Sequence, residues 1–323
     1  MKPRRWGLAL IAASFCSMAV AQNWQPERPI RLIAPTAAGG GADTIARLTA
    51  NALAQSLGQP VVVENHPGAN GNIAAGVMLR APADGHTLLF VAASTVAITP
   101  AIYSKTPYDP NTDFRAIGTI CDMSLVMVAS ASVTATNLSE LVAQIKAKPK
   151  SIFFASSGNG SFSHMLSETL NSRIGGGMTH VPYKGEALAL QDLLGNQTAA
   201  IYFGTPPPIV PLVQSGKLKA LAVSTAKRLE QLPDVPTLSE QGLSGFNESF
   251  WYGVVARAGT PANIIATLSK EITAISSSPT IGQATRKLGC TPLTLNPEQF
   301  ATRIKDDLTK FAGVASAIGL KLD

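Results

Sequence analysis

Cysteine, histidine and aromatic residues are scarce in this sequence. Its 323 residues include three cysteines and four histidines, and 6% of the residues are aromatic. So few cysteines cannot form a disulfide scaffold, and no cysteine or histidine has metal-ligand spacing. Outside the cytoplasm Cys121 and Cys290 could pair, and two buried free thiols are an equally good interpretation. We predict no metal and no cofactor.

Patterns that would identify several common activities are also missing. The sequence contains no GxSxG nucleophile elbow, no HExxH pair and no P-loop, so no catalytic residues are predicted. It has no stripe of Lys and Arg with aromatic residues interleaved, which gives nucleic-acid binding no support. An enzyme is therefore a less favoured interpretation than a binding protein.

Only one apolar run approaches membrane-spanning length, and it lies at the N-terminus. The run WGLALIAASFCSMAV follows Lys2, Arg4 and Arg5 and ends in small residues at Ala21. This order is typical of a secretory signal peptide, cleaved here before Gln22. An uncleaved anchor helix is the alternative, but a spanning helix needs about 20 apolar residues. We predict export to the periplasm, and cleavage lowers the formal net charge from +6 to +3.

The rest of the chain alternates between short apolar runs and amphipathic stretches. RPIRLIAP, PVVVEN and HTLLFVAAS indicate strands, and the helical patterns ADTIARLTANALAQSLG and IAAGVMLRAPADG lie between them. The alternation begins again at SLVMVASAS, and SIFFASSGNGS repeats the order of strand, small-residue loop and helix. Such alternation predicts an α/β fold with mostly parallel sheets flanked by helices.

The length of the chain favours two domains. After a signal peptide at 1–21, we predict one lobe formed by 22–127 together with 249–323, and a second lobe formed by 128–248. The helical tail would pack back on the first lobe. The chain would then cross between the lobes twice and leave a hinged cleft.

The loop PTAAGGGAD, which ends at Asp43, follows the first predicted strand and opens the first helix. Glycines let a ligand approach the main chain closely, and free N–H groups at a helix start attract anions. The loop has neither the Lys-Ser/Thr of a P-loop nor the GxGxxG pattern, so a nucleotide site is not indicated. Asp43 in the first helical turn is predicted to cap the helix.

Other small-residue loops follow strands further along the chain. Ser156, Ser157 and Ser161 belong to SSGNGS, and Ser94-Thr95 ends the third predicted strand. Ligands of open α/β sheets bind beyond the carboxyl ends of the strands. Binding and a plain turn remain alternatives for both loops.

Four further side chains have structural and functional interpretations. His164 follows the serine loop, and we expect a structural role because no third group can be named to orient it. Lys184 could neutralise a carboxylate or lie solvated in a turn. Trp251 and Tyr252 lie on the predicted return strand and are expected in the core near the hinge rather than in a ligand wall.

Several stretches, in this order, resemble the periplasmic solute-binding receptors of tripartite tricarboxylate transporters, the Bug family. They are RPIRLIAPTAAGGGAD, VVVENHPGANGNIAAG, RAPADGHTLLF, FFASSGNGSFSHM, VPYKGEALALQDLLG, SGKLKALAVSTAKRLEQLPDVPTLSEQG and WYGVVARAGTP. The resemblance implies a two-lobed type II periplasmic-binding-protein fold, the Venus flytrap. It implies a monomer that captures a small carboxylate between its lobes for membrane transporter subunits. A periplasmic partner of a two-component sensor kinase is the alternative.

The resemblance also implies the ligand-binding residues by their positions. Main-chain amides of the first loop and ordered waters would hold the ligand carboxylate, and a second group of residues would face them. These residues are Thr36, Ala37, Ala38, Gly39, Gly40, Gly41, Ser94 and Thr95 in the first lobe, and Ser156, Ser157, Gly158, Ser161, Tyr183, Lys184, Gly185, Ala187, Phe203, Gly204 and Thr205 in the second.

Two positions depart from the family pattern. The family often has an aromatic residue where this chain has Thr36, and an Asp where it has Gly204. The first change removes a stacking face, and the second removes a partner for a ligand amine or hydroxyl. We therefore expect amino acids to be disfavoured, and a dicarboxylate, tricarboxylate or aromatic acid to be favoured.

Overall fold

A computed structural model describes residues 24–322 of the chain, so the predicted signal peptide lies outside the described residues. The strands are β1 (Ile30–Ala34), β2 (Val61–Asn65), β3 (Thr87–Ala92), β4 (Phe114–Ser124), β5 (Val126–Ala129), β6 (Ile152–Ser156), β7 (Met178–Pro182), β8 (Ile201–Gly204), β9 (Lys219–Val223), β10 (Ser249–Arg257) and β11 (Cys290–Pro292). The α-helices are α1 (Gly41–Leu57), α2 (Asn72–Leu79), α3 (Thr99–Ile102), α4 (Leu138–Ala147), α5 (Phe162–Arg173), α6 (Glu186–Gly195), α7 (Pro206–Gln214), α8 (Ala262–Ser277), α9 (Pro279–Lys287) and α10 (Pro297–Ala317). A 3-10 turn at Ala69–Gly71 and a π-helical turn at Ser94–Ile98 complete the regular elements of this range.

The strands form two sheets with helices on their faces. The first sheet has the order β11-β4-β10-β3-β1-β2, and the second has the order β7-β6-β8-β5-β9. β1 is parallel to β2 and β3, and β6 is parallel to β7 and β8, as the alternation predicts. The sheets are mixed: β1, β2, β3 and β4 run in one direction in the first sheet, as do β6, β7, β8 and β9 in the second, so most strands are parallel as predicted, whereas β10, β11 and β5 run the opposite way. β5 and β10 each begin just after the chain has passed from one sheet to the other. They therefore run in the opposite direction to their neighbours.

The side chains of β1 pack against helices on both faces of the first sheet. On β1, Ile30 and Leu32 pack with α1 and α8, whereas the alternate residue Ile33 packs on the opposite face with α2. Burial of such a side chain contributes roughly 1.5–3 kcal/mol. Gly58 ends α1 in a left-handed conformation with φ of 69°, which glycine adopts at little cost.

Hydrogen bonds tie the two chain crossings together. β4 ends at Ser124 and β5 begins at Val126, so Leu125 connects the sheets, and the return lies between β9 and β10. The Leu125 amide donates to Ser224 Oγ over 3.0 Å, and Ser224 Oγ donates to the Glu248 carbonyl over 2.6 Å. Ser224 is fully buried. The domain boundaries given above stay a prediction.

Two strands were missed by the sequence analysis. β4 spans 11 residues, but Arg115, Gly118 and Asp122 interrupt its apolar pattern. β11 has only three residues and follows a helix without a turn cluster. β4 lies inside the first sheet, paired with β10 along its length, and β11 is held at the sheet edge by antiparallel pairing with β4 and by a disulfide between Cys121 and Cys290. The pairing alternative is therefore the one that the structure contains.

Within residues 24–322, no helix combines the length and apolar character that a membrane crossing needs.

Candidate functional site

Two adjoining cavities lie where the strands of the first sheet end and face the second sheet; together we call them the cleft. The first-sheet cavity, about 220 Å³, is lined by Pro35, Thr36, Ala42, Asn70, Phe90, Ala92, Ser94, Thr95, Phe250 and Tyr252. The bridging cavity, about 280 Å³, is lined by Asn70, Ser94, Leu125, Ser157, Ser161, Phe162, Ser163, Glu186, Tyr202, Phe203, Thr205 and Phe250. Three residues belong to both linings, so the cavities are continuous.

Helix N-termini surround the cleft. Ala42 is in the first turn of α1, and Ser94 opens the π-helical turn. Ser161 and Thr205 are the N-cap residues of α5 and α7. The positive ends of these dipoles favour a negative charge, which at α7 is the Glu186 carboxylate and at the other three starts would come from a ligand.

The glycine-rich loop is organised by Asp43. Its carboxylate accepts the Gly39 amide over 2.9 Å and the Asn65 side-chain amide over 2.8 Å, and it pairs with Arg47 at 2.9 Å. The Arg47 guanidinium lowers the pKa of Asp43 to about 2, against the effect of burial. Asp43 acts from inside the first turn, because the N-cap position is Gly40. The Gly39 amide is therefore occupied by the protein itself.

The start of α1 is open to solvent and to the cleft. The N-cap Gly40 makes no side-chain hydrogen bond that would cap the helix. A Cβ atom at Gly41 would meet nothing within 4 Å, and the φ of Gly41 does not require glycine. Packing among residues 24–322 thus gives no reason for glycine at position 41. A ligand that approaches this backbone closely would supply one.

The first-lobe prediction divides between residues that line the cleft and residues that do not. Thr36, Ser94 and Thr95 line it. Ala37, Ala38, Gly39, Gly40 and Gly41 lie on the exposed loop beside it and do not. Ser94 and Thr95 form the start of a helical turn rather than the end of a strand, and the Thr95 carbonyl accepts the Tyr108 hydroxyl.

The serine loop of the second sheet divides in the same way. Ser157 and Ser161 line the bridging cavity together with Ser163, which sequence reasoning did not select. The Ser163 hydroxyl lies 3.2 Å from Ser157 Oγ and 3.0 Å from Ser161 Oγ. Ser156 points away from the cleft, and Gly158, with φ of 137°, only turns the loop.

A histidine pair supports the serine loop from behind. The rings of His164 and His180 stack with centroids 3.8 Å apart, and His164 Nδ1 accepts the Gly160 amide over 3.1 Å. His180 Nε2 lies 2.7 Å from Ser156 Oγ. Burial, together with His164, lowers the pKa of His180 to about 4. These contacts agree with a structural role for His164.

The Ser156–His180 pair does not present a nucleophile to a substrate. Ser156 is fully buried and lines neither cavity, and the ring neighbour of His180 is the stacked His164. Ser156 is also bonded to the Gly158 main chain, which fixes its hydroxyl within the loop. Among the described residues, no group of three or more His, Cys, Asp or Glu could hold a metal ion.

The remaining second-lobe prediction is only partly in the cleft. Phe203 and Thr205 line the bridging cavity, whereas Tyr183, Lys184, Gly185 and Ala187 do not. Lys184 is exposed. Burial and a hydrogen bond with Asp192 raise the pKa of Tyr183 to about 12.

Glu186, at the start of α6, is a lining residue that sequence reasoning missed. Its carboxylate accepts the Thr205 amide over 2.7 Å and the Thr205 hydroxyl over 2.8 Å, and it is hydrogen-bonded to Tyr202. Burial raises the pKa of Glu186, and the hydrogen bonds from Thr205 and Tyr202 oppose that effect. No motif marked this residue, because its neighbours belong to an ordinary helix start.

The expectation drawn from Gly204, that amino acids are disfavoured, stays a prediction, but Glu186 changes the chemistry of the wall on which it was based. Glu186 supplies a carboxylate at the residue next to Gly204, so a partner for a ligand amine or hydroxyl is present. A Cβ atom at Gly204 would lie 2.7 Å from Ile209 and 2.8 Å from Tyr202. An Asp at this position would therefore displace both side chains.

The aromatic residues of β10 also correct an expectation. Trp251 is fully buried and donates its indole N–H to Asp307 over 2.7 Å, as expected for a core residue. Tyr252 is also buried in the core, as expected, but it lines the first-sheet cavity beside Phe250 as well and stacks on Phe90 with centroids 5.3 Å apart. Strand alternation places 250 and 252 on one face and 251 on the other. This alternation could have predicted from the sequence that Tyr252 faces away from Trp251. Asn70 was missed as well, although its Asn-Gly pair marks a turn.

The charges around the cleft are few. Neither lining contains Lys, Arg or His, and the one ionisable carboxyl group in them is Glu186. A ligand anion would therefore be held by main-chain amides, hydroxyls and the Asn70 amide rather than by a cationic side chain.

Known proteins match this chain over nearly its whole length. The family model described as "Tripartite tricarboxylate transporter family receptor" matches residues 45–320. Protein BugT of Bordetella pertussis is 36% identical over 313 residues, which cover 97% of this chain and 96% of BugT.

Solved structures share the fold. R. palustris Rpa4515 with adipate has a TM-score of 0.80 and 31% sequence identity, with 92% of this chain and 99% of that chain covered. MatC from Rhodopseudomonas palustris with bound malate has a TM-score of 0.75 and 30% identity, with 90% and 99% covered. The two-lobed α/β fold of periplasmic binding proteins is thus confirmed, with mixed sheets.

Proposed function

This chain belongs to the tripartite tricarboxylate transporter receptor family, and on that premise we propose that it is a periplasmic solute-binding protein that captures a small carboxylate in the cleft. The ligand class is a dicarboxylate, a tricarboxylate or an aromatic acid. The family is one of receptors, and we assign no catalytic step to the chain.

The proposal rests on one observation, the kind of groups that surround the cleft. Helix N-termini and hydroxyls meet there without a cationic side chain. One helix N-terminus stabilises an anion by about 0.3–1 kcal/mol, and by up to about 2 kcal/mol when partly buried. Several such ends and uncharged hydrogen-bond donors suit a carboxylate. The related structures with adipate and malate support this chemistry.

The binding residues remain part of the proposal. We expect the ligand carboxylate against the open start of α1, with Thr36, Ser94 and Thr95 beside it. Ser157, Ser161 and Thr205 would complete the opposite wall. The other positions implied by the resemblance shape the loops that carry these residues.

The partners follow from the family. We propose that the protein, acting as a monomer in the periplasm after cleavage between Ala21 and Gln22, delivers its ligand to membrane transporter subunits. A sensor-kinase ectodomain is the other partner consistent with the same fold and ligand. Genes for membrane subunits beside this gene would favour the transporter, and a two-component pair would favour the sensor.

Thermal-shift measurement against a panel of carboxylates tests the proposal. Citrate, aliphatic dicarboxylates, aromatic acids and acidic amino acids are each added to the purified protein. A ligand at about 100 times its dissociation constant adds roughly 2.7 kcal/mol to the free energy of unfolding, which shifts the melting temperature by several degrees. We expect a shift with one acid class, and no shift with any acid would contradict the proposal.

A matched pair of glycine variants tests the position of the ligand. Gly41→Ala adds a methyl group at the open start of α1, whereas Gly313→Ala adds one in α10, where it also meets nothing within 4 Å. Both variants should fold at least as stably as the parent, because alanine favours helices. Only Gly41→Ala should reduce the ligand-induced shift. Equal shifts in the two variants would place the ligand elsewhere.

A further inference from the structure

We propose that Glu186 determines specificity: the carboxylate ligand carries a hydrogen-bond donor, a hydroxyl or an ammonium group, that binds to Glu186 in the bridging cavity. This inference rests on the proposed function, since it concerns the end of the ligand that faces the second sheet. The open start of α1, on the opposite side of the cleft, would hold the anionic end.

Glu186 occupies the place that an anionic ligand group would otherwise take at α7. Pro206, Pro207 and Pro208 open this helix and have no N–H group. The N-cap amide of Thr205 already donates to Glu186 over 2.7 Å. The N-terminus of α7 therefore presents a carboxylate to the cleft instead of free amide donors.

The hydrogen bonds within this wall leave it rich in acceptors. An ionised carboxylate has about four acceptor sites, and three donors reach Glu186: the Thr205 amide, the Thr205 hydroxyl and the Tyr202 hydroxyl. Ser157 and Ser163 are further hydrogen-bond neighbours of Tyr202. One acceptor site of the carboxylate is left for a ligand.

Charge decides which ligand group fits there. No cationic side chain lines either cavity, so nothing nearby would neutralise a second carboxylate beside Glu186. Like charges repel strongly at short range in a site that excludes water. A hydroxyl or an ammonium group donates to Glu186 instead, and hydrogen bonds to a charged acceptor are the stronger kind.

Series of acids that differ only at C2 test the inference. Calorimetry on the purified protein compares succinate with malate and aspartate, and glutarate with 2-hydroxyglutarate and glutamate. Within a series, we expect the hydroxy or the amino acid to bind at least about tenfold more tightly than the unsubstituted acid. Whether the hydroxy or the amino member binds more tightly identifies the donor.

A charge-removing variant tests whether Glu186 is responsible. Glu186→Gln keeps an acceptor for the Thr205 amide, and its fold can be verified by thermal unfolding. We expect the preference for the substituted acid to fall to less than about threefold, chiefly through a gain in affinity for the unsubstituted acid. Asp234→Asn removes one charge from an exposed residue outside both linings and should leave the preference unchanged.

The outcomes separate this inference from the function on which it rests. Equal binding of unsubstituted and substituted acids, or a preference that survives in Glu186→Gln, would overturn the inference while leaving a carboxylate receptor. Failure of all six acids to bind would overturn it even if another acid of the wider panel binds. No binding by any carboxylate would overturn the proposed function as well.

Discussion

At the residue scale, contacts made behind the cleft set the position of its lining residues. His180 contacts Ser156 and His164, neither of which lines a cavity, yet these contacts fix the serine loop that supplies Ser157 and Ser161. Partial burial beside His164 favours the neutral form of His180, and its protonation would disturb the loop. The serine loop should therefore be sensitive to acid.

Stability should fall in acid because of His180. Its pKa in the folded protein is about 4, below the usual value of about 6.5. In that interval the unfolded chain binds more protons than the folded protein, so the free energy of unfolding decreases as the pH falls from about 6.5 to about 4. Because His180 is only half-buried and solvent screens its charge, we expect a loss of about 1–2 kcal/mol from this group, measured by urea unfolding across that range.

Replacement of the histidine isolates its effect. His180→Asn can still hydrogen-bond Ser156 but does not titrate, so the difference between parent and variant should change across this pH range. His66→Asn, at a partly exposed histidine beside Glu64, serves as the control. If the free energy of unfolding changed with pH in the same way in the parent and in His180→Asn, protonation of His180 would not be the cause of the acid sensitivity.

Single residues also show what the sequence could and could not predict. Thr36, which the resemblance implied, and Ser157, whose loop follows a strand, both line the cleft, since a loop at a strand end lies at one edge of the sheet. Glu186 and Tyr202 meet only because α6 and β8 pack side by side. A contact between elements that are separated in sequence has no signature in either stretch.

At the element scale, β11 is the shortest strand of the first sheet and has one neighbouring strand. It has three residues, and it lies at the sheet edge, paired only with β4. The disulfide between Cys121 and Cys290 joins it to β4 across a sequence separation of 169 residues. α9 and the start of α10 flank this short strand.

Removal of the disulfide should lower stability without changing the fold. Cross-linking residues so far apart restricts the unfolded chain, and the expected contribution is about 2–5 kcal/mol. The double variant Cys121→Ala and Cys290→Ala should lose that amount in denaturant unfolding. A reducing agent should destabilise the parent protein similarly and leave the variant unaffected. A variant as stable as the parent would show that β11 is held by strand pairing alone.

Element order was predictable where apolar and polar residues alternate clearly, and less so elsewhere. The helices and the parallel strands near the glycine loop follow from their patterns, as β1 and α1 show. β4 was missed because Arg115, Gly118 and Asp122 interrupt its apolar pattern, and its burial is decided by α8 and α10 on its faces. Tertiary packing, which the local pattern does not contain, makes that stretch a strand.

At the scale of the whole molecule, the crossings decide how the two sheets can move. Leu125 and the segment before β10 meet at Ser224, whose hydroxyl accepts from Leu125 and donates to Glu248. A rotation of one lobe against the other would bend the chain at this point. The hydrogen bonds of Ser224 would then keep the two crossing segments together.

Loss of the Ser224 hydroxyl should weaken this connection. Ser224→Ala leaves the Leu125 amide and the Glu248 carbonyl without a buried side-chain partner, which costs about 1–3 kcal/mol. Urea unfolding measures this loss, and small-angle scattering with and without ligand measures closure, which we expect to be less complete. Ser215→Ala, at the exposed C-cap serine that follows α7, should change neither quantity. Unchanged unfolding of Ser224→Ala would rule out a stabilising role at the crossing.

The three prolines at the start of α7 have a consequence for hydration. Amides at a helix start normally hold water molecules, which a closing cleft must release. Pro206, Pro207 and Pro208 have no amide hydrogen to solvate, and Glu186 already covers Thr205. Closure at this wall therefore displaces few tightly held waters. Dehydration on capture would fall instead on the free amides of the glycine loop across the cleft and on the open acceptor site of Glu186.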